Sequence, residues 1–351
     1  MSDPILIYGA TGYTGRLLTK QALASSLRPI LAGRSEPKLA AFAASLGLEH
    51  RVVRLSEPEL LAAGLRGVAV VLHAAGPFSL TSGPMVEACL RTGTHYLDIS
   101  GEITVFEALV RRHNEARRRG IMVMPGVGFD VVASDCLAAH VARRLPGACR
   151  LAVGLRGLRF ASRGSAKTLV EYAGRDIQVR RNGVLTSLPP GTLERAFDYG
   201  DGPRLSLGIS WGDVASAYYT TGIPNIETYF EVNPTLRGML AASRYLGWAL
   251  QSAPWQGMLK ACADMLAEGP TDEQRAASSM VVVAEVEDGR GRRARSRLHT
   301  PEAYTFTAAA GAAISRRVLD GDLDVGFQTP ARLYGEGLVL GFAGVSREDL
   351  T

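Results

Sequence analysis

At 351 residues the chain exceeds what one compact core usually holds, so two domains are expected. Hydrophobic residues at 46% and charged residues at 21% describe an ordinary globular protein and exclude disorder. The formal net charge of +5 does not indicate nucleic acid or a membrane surface. Its densest basic runs (Arg111-Arg112, Arg117-Arg118-Arg119, Arg290 to Arg297) fall at an expected helix end and hairpin, where they coat solvent.

In chain order, the first third alternates short β-rich runs with longer helical patterns. Strands are predicted at Ile5 to Gly9, Pro29 to Gly33, Arg51 to Leu55, Ala69 to Ala74, Tyr96 to Ser100 and Ile121 to Pro125. Helices are predicted between them at Thr14 to Ala24, Pro37 to Leu46, Glu57 to Leu65, Pro84 to Arg91 and Val105 to Arg119. This order makes the fold class α/β, a doubly wound parallel sheet of the Rossmann type over residues 1–130. A helix at Val131 to Arg144 then leads into strand-like runs at Arg150 to Leu158, Gln178 to Ser187, Arg204 to Trp211, Ile226 to Val232 and Val281 to Ser296. Hairpin signals at Asn182-Gly183 and Asp288-Gly289 favour antiparallel pairing, so residues 131–325 are expected to form a second, α+β domain on a mixed sheet. An alanine-rich helix is expected near Ala308 to Ala313, and the segment 326–351 is expected to return to the first domain.

Other classes are set aside in the same way. Cys89, Cys136, Cys149 and Cys262 show neither CxxC spacing nor paired histidines, so no metal site and no disulfide framework is expected. The N-terminus enters a strand almost at once, which leaves no room for a secretory leader and points to the cytoplasm. The uncharged run Tyr245 to Leu259 contains Pro254 and falls short of the roughly 20 apolar residues of a spanning helix. It reads as a buried or oligomer-facing helical hairpin, with an interfacial membrane contact or an apolar substrate lining as alternatives, and a homo-oligomer, a homodimer, is expected.

The first strand runs directly into GATGYTG, which sets Gly9, Gly12 and Gly15 in a GxxGxxG arrangement opening a helix. Glycines there let the backbone turn tightly and approach a pyrophosphate, while the helix N-terminus offers unpaired N–H groups and a positive dipole end. The expected cofactor contacts in this loop are Gly9, Thr11, Gly12, Tyr13, Thr14 and Gly15. Where an acidic residue at the end of the second strand selects NAD, this chain has Arg34 and Ser35, which suit a 2′-phosphate; Arg34 as a surface turn residue is the alternative. NADP is therefore expected, with NAD the second choice. Small residues after the fourth strand, Ala75, Gly76 and Pro77, permit close approach of the ribose and nicotinamide or simply serve a tight turn.

The stretches YGATGYTG (8–15), LAGRS (31–35), AAGPFSLTSGPMVEACLRTGTHYLDISGE (74–102) and PGVGFDVVASDCLA (125–138) together resemble the saccharopine dehydrogenase-like oxidoreductases. More loosely, so do TGIPNIETYF (221–230) and TPARLYGEG (329–337). The resemblance implies a Rossmann domain joined to an α+β domain that carries substrate contacts and oligomer interfaces. It also implies hydride transfer between NAD(P) and the carbon of a C–N or C=N bond in an amino-acid-derived substrate. Trans-acting enoyl reductases are similar in sequence, so reduction of a C=C bond in a lipid or polyketide-like substrate is the first alternative, and a non-catalytic NADP-binding sensor or scaffold the second.

Hydride transfer needs a group that handles a proton near the reacting carbon. The candidates are Asp98, at the end of the fifth strand, Asp130, after the sixth, and Lys167, the sole lysine between Lys38 and Lys260. Each has a plainer alternative: a carboxylate bonding loop N–H groups for Asp98, a helix cap for Asp130 and a solvated helix residue for Lys167. Glu102 shares the reading of Asp98. His73 and His95 flank the same edge, and core histidine is the economical reading for the one inside a strand.

Overall fold

The computed structural model describes residues 4–172, 175–232, 251–265 and 267–350. Side chains at 167–169, 171–172, 260 and 264 also lie outside the described ones. The chain divides into two compact units, Met1–Val132 with Tyr304–Leu333, and Ala133–Ala303 with Tyr334–Thr351.

The first unit opens with β1 (Ile5–Tyr8), α1 (Tyr13–Ala24), β2 (Ile30–Gly33), α2 (Glu36–Leu46), β3 (His50–Val52) and α3 (Pro58–Gly64). It continues through β4 (Val70–His73), α4 (Phe78–Thr92), β5 (His95–Asp98), α5 (Ile103–Val110), α6 (His113–Arg118), β6 (Met122–Met124) and α7 (Phe129–Arg144). The predicted helix over Val105 to Arg119 is thus two helices, with a break between Val110 and His113. Helix α4 begins a turn and a half before the predicted start at Pro84, because a carboxylate from elsewhere in the chain caps its first N–H groups, as described below.

The second unit contains β7 (Ala148–Arg156), α8 (Arg163–Tyr172), β8 (Ile177–Arg181), β9 (Val184–Leu188), β10 (Glu194–Asp198), β11 (Pro203–Ile209) and α9 (Asp213–Thr221). Then follow β12 (Asn225–Glu231), α10 (Ala253–Met265), α11 (Asp272–Ala276), β13 (Ser279–Asp288) and β14 (Arg293–Pro301). The chain ends with α12 (Ala303–Leu319), β15 (Gly326–Phe327), α13 (Pro330–Tyr334) and β16 (Ser346–Leu350).

Strand order in the first sheet is β15-β6-β5-β4-β1-β2-β3, all parallel. The chain reverses direction across the sheet between β1 and β4, which opens a crevice at their carboxyl ends, the ligand side of such sheets. β1, β2 and β4 are buried along their whole length, as strands covered on both faces by helices must be. Helix α12, although distant in sequence, packs here: a Cβ on its Gly311 would lie 2.7 Å from the Leu18 side chain and 3.5 Å from Leu72.

The second sheet runs β10-β11-β12-β7-β13-β14-β16, with β8 pairing β12 and β9. It is mixed, β12 lying parallel to β7 while the other pairs are antiparallel. Asn182 and Gly183 both take positive φ, 48° and 80°, as the two-residue turn between β8 and β9 requires. One face is centred on Ala152, Phe197, Tyr199, Tyr229 and Val283. Of the run Tyr245 to Leu259, residues 245–250 lie outside the described residues and the remainder opens α10. No helix among the described residues is long and apolar enough to cross a membrane.

His73 is the least comfortable member of the first core. It is fully buried between Tyr8 and Phe78, both with ring centroids 5.3 Å away, and Tyr96 at 6.2 Å. The Thr81 hydroxyl lies 2.7 Å from the Ala75 carbonyl, to which it donates, so the His73 Nε2–H donates to Thr81 at 3.0 Å and Nδ1 is left without a partner. Burial pushes the ring's pKa down to about 3. Above the ordinary histidine pKa the ring is neutral in both states. As pH falls below it the unfolded chain takes up a proton that the folded chain refuses, so His73 costs roughly 2 kcal/mol at pH 5. Buried Asp98 and half-buried Asp130, whose pKa values are raised, act in the opposite direction over the same range. A comparison with His73→Phe therefore isolates the histidine. Denaturant unfolding is expected to show the variant gaining roughly 2 kcal/mol over wild type between pH 7.5 and pH 5. A constant difference across that range would show that the ring takes up its proton inside the fold.

Candidate active site

The phosphate loop is built by steric exclusion. Gly9 takes φ +83°, and a Cβ there would lie 2.9 Å from the Ala75 Cβ and 3.0 Å from the Ala74 carbonyl carbon. At Gly15 a Cβ would lie 2.1 Å from the Gly9 oxygen, so only glycine lets α1 start this close to β1. Gly12, by contrast, is exposed, and its nearest obstacle is the Gly9 oxygen at 3.2 Å. From the N-cap of α1 it supplies no side-chain acceptor to the first N–H groups, and no acid occupies the first turn. These are the features of a seat for a pyrophosphate. Arg16, a residue the sequence reading passed over, donates to the Thr11 carbonyl at 2.7 Å and ties the loop to its helix. The signal for it was a lone cation in a first turn otherwise free of charge.

At the end of β2, Arg34 is exposed and makes no ion pair or hydrogen bond among the described residues. Ser35 is the N-cap residue of α2, yet its hydroxyl makes no capping bond. A guanidinium and a hydroxyl thus stand unengaged where a 2′-phosphate is read.

Beyond β4, Ala75, Gly76 and Pro77 lead into α4. The carboxylate of Glu102 accepts from the Phe78 N–H at 2.7 Å and the Ser79 N–H at 2.9 Å, so Glu102 caps α4 and is committed to that task. Both histidines are structural: His73 is the core ring described above, and His95 sits in β5 and accepts from the Met122 N–H at 3.0 Å.

Asp98 is fully buried at the end of β5. One carboxylate oxygen accepts from the Tyr96 hydroxyl at 2.7 Å, the other from the N–H groups of Ser100 at 2.8 Å and Gly126 at 2.9 Å. Its own carbonyl accepts from the Val127 N–H at 2.7 Å. Burial raises its pKa to about 6 against the pull of these donors. Asp98 therefore staples the loop after β6 to the end of β5.

Asp130 stands in the first turn of α7, its carboxyl beside Gly101, where a Cβ would lie 2.9 Å from its Oδ2. Among the described residues it has no hydrogen-bond or ion-pair partner. Burial alone raises its pKa to about 7. The plainer reading of Asp130 as a helix cap is not what the structure shows, because the Phe129 N–H donates to Thr307 instead. One sheet edge thus gathers the phosphate loop, Arg34, Ser35, Ala75 to Pro77, Asp98 and Asp130. Lys167 belongs to the other unit, on α8, and its side chain lies outside the described ones. No cluster of three or more potential metal ligands occurs among the described residues.

Residues 5–124 match the family described as the saccharopine dehydrogenase NADP binding domain. Over those residues the chain is similar to an NADP-binding domain of the saccharopine dehydrogenase type, and the engaged and open groups of its loop fit that cofactor. The chain is similar to a trans-acting enoyl reductase of Mycobacterium leprae, 37% identical over 150 residues, which is 40% of this chain and 36% of that protein. Another, from Mycobacterium ulcerans, is 34% identical over 183 residues, 48% of this chain and 44% of that protein. A saccharopine dehydrogenase-like oxidoreductase of Bos taurus is 27% identical over 168 residues, 41% and 38% of the two chains. The matches span less than half the length of these curated relatives. Among solved structures, the apo saccharopine dehydrogenase (L-Glu forming) of Saccharomyces cerevisiae shares the fold over 99% of this chain and 100% of that one, with a TM-score of 0.67 at 13% identity.

Arg34 is the candidate residue for a preference for NADP over NAD. Arg34→Ala is expected to weaken NADPH binding by about 1.5 to 3 kcal/mol, the loss of one charge-assisted bond, and to leave NADH nearly unchanged. Calorimetric titration with both cofactors measures this, and equal losses for the two would remove Arg34 from the 2′-phosphate site.

Proposed function

We propose that the protein is an NADP-dependent oxidoreductase that reduces a carbon–carbon double bond conjugated to a carbonyl in a small acyl substrate, with Asp130 handling the proton. The observation that carries the chemistry is the unpartnered carboxyl of Asp130 on the edge that holds the phosphate loop. The choice of C=C is supported by the two mycobacterial relatives named as enoyl reductases. The reading that led from the sequence, a C–N or C=N bond of an amino-acid-derived substrate, remains the second. It is supported by the saccharopine dehydrogenase type of the NADP-binding domain and by the bovine relative.

NADPH, when bound, supplies a hydride, and the reduced carbon pair then needs one proton. Asp130 meets that need because a carboxyl with a pKa of about 7 keeps its proton in a sizeable fraction of molecules at neutral pH. With no acceptor for that proton among the described residues, it is available for transfer. Asp98 has the opposite arrangement, its two carboxylate oxygens taken by three donors, and its part is to hold the loop that carries Asp130. Gly76 is exposed and without a side chain, which leaves room at the edge for a flat ring.

The two carboxylates separate in a test of NADPH oxidation with a 2-enoyl thioester, followed by absorbance against pH. Asp130→Asn is expected to lower turnover by about 10²- to 10⁴-fold and to abolish the decline of rate as pH rises through about 7, with NADPH affinity unchanged. Asp98→Asn should instead lower stability by about 1 to 3 kcal/mol, because a neutral amide replaces a carboxylate that accepts from three donors and its nitrogen cannot accept from the Tyr96 hydroxyl. Normal turnover in Asp130→Asn contradicts the proton role. Oxidation of NADPH with an amine and carbonyl pair, but not with the enoyl thioester, moves the protein to the second reading.

A further inference from the structure

The N-terminus of α7 raises a question of supply. The first N–H groups of a helix have no acceptors within it, and they are usually satisfied by the residue just before the helix or within its first turn. Before α7 the chain reads Pro125-Gly126-Val127-Gly128, which offers no side-chain acceptor. Asp130 is of the right type but makes no such bond. The acceptor comes from 178 positions away: the Thr307 hydroxyl on α12 accepts the Phe129 N–H at 3.0 Å. Gly128 is shaped for this approach, since a Cβ there would lie 3.1 Å from the Thr307 methyl carbon and 3.2 Å from its oxygen. The Phe129 and Phe306 rings meet edge to face, 5.8 Å apart, beside the same contact.

We infer that Thr307 is a positioning residue for Asp130, which by capping α7 from outside leaves the Asp130 carboxyl free to face the reaction edge. The inference rests on the proton role proposed for Asp130. Two hands then hold one turn. Asp98 grips Gly126 and Val127 from β5, and Thr307 grips Phe129 from α12. Without Thr307 the Phe129 N–H loses its acceptor, and the turn that carries Asp130 loosens enough for water to reach its carboxyl.

The test needs no substrate. In Thr307→Val the hydroxyl is lost with little change of shape, while Thr307→Ser keeps it. Amide exchange followed by NMR is expected to show the Phe129 N–H exchanging about tenfold faster in Thr307→Val, the change expected from loss of one ordinary hydrogen bond. A carboxyl-carbon titration, with the Asp130 signal assigned by its absence in Asp130→Asn, is expected to move from its raised midpoint towards the ordinary aspartate value in Thr307→Val. Both readouts should return to wild type in Thr307→Ser. Unchanged exchange and titration in Thr307→Val, or a Thr307→Ser that behaves like the valine, overturns the inference and leaves the role of Asp130 intact. Conversely, normal enoyl turnover in Asp130→Asn overturns the proton role and with it the functional meaning of the contact, even where the exchange result holds.

Discussion

The site depends on how closely two strand ends approach each other. Gly9 at the end of β1 and Ala75 beyond β4 leave no room for one more carbon atom, and Gly15 brings α1 down until its backbone meets the Gly9 oxygen. This contact places an uncapped helix end in the crevice where the sheet changes direction. Any side chain at Gly15 would lift the helix from the strand and remove the seat for a pyrophosphate.

The neighbouring strand ends are held by hydrogen bonds rather than by exclusion. Glu102 caps α4, Asp98 staples the loop after β6, and Thr307 caps α7 from the far end of the chain. Three acidic residues thus sit at or near one edge, and their partners tell them apart. Two are spent on backbone N–H groups. The third, Asp130, has no such partner among the described residues, and burial without compensation is what moves its proton affinity into the range useful near neutral pH.

Much of this was legible in the sequence, for physical reasons. The parallel strands are short buried runs between glycine-marked turns, and the phosphate loop announces itself because Gly9 and Gly15 are excluded from being anything else. The antiparallel pairs of the second sheet were signalled by Asn182-Gly183, which forms the two-residue turn, and by Asp288-Gly289, which opens a longer turn whose positive φ falls at Gly291. What was not legible was non-local. The start of α4 at Phe78 depends on Glu102, 24 positions on, and the cap of α7 depends on Thr307; no window of sequence contains either pair. For the same reason the roles of Asp98 and Asp130 could not be separated from residue type and position alone, because both are aspartates following a strand and only their partners differ.

Whether Asp130 serves the hydride chemistry depends on where the reactive end of the cofactor lies relative to it. A crystal structure with NADPH bound measures this directly. The pyrophosphate is predicted to lie over Gly12, the 2′-phosphate at Arg34 and Ser35, and the nicotinamide ring near enough to Asp130 for a substrate atom or one water to bridge them, within roughly 6 Å. A nicotinamide more than about 10 Å from Asp130, beyond a direct bond or a single bridging water, would contradict the claim that this carboxyl serves the hydride chemistry.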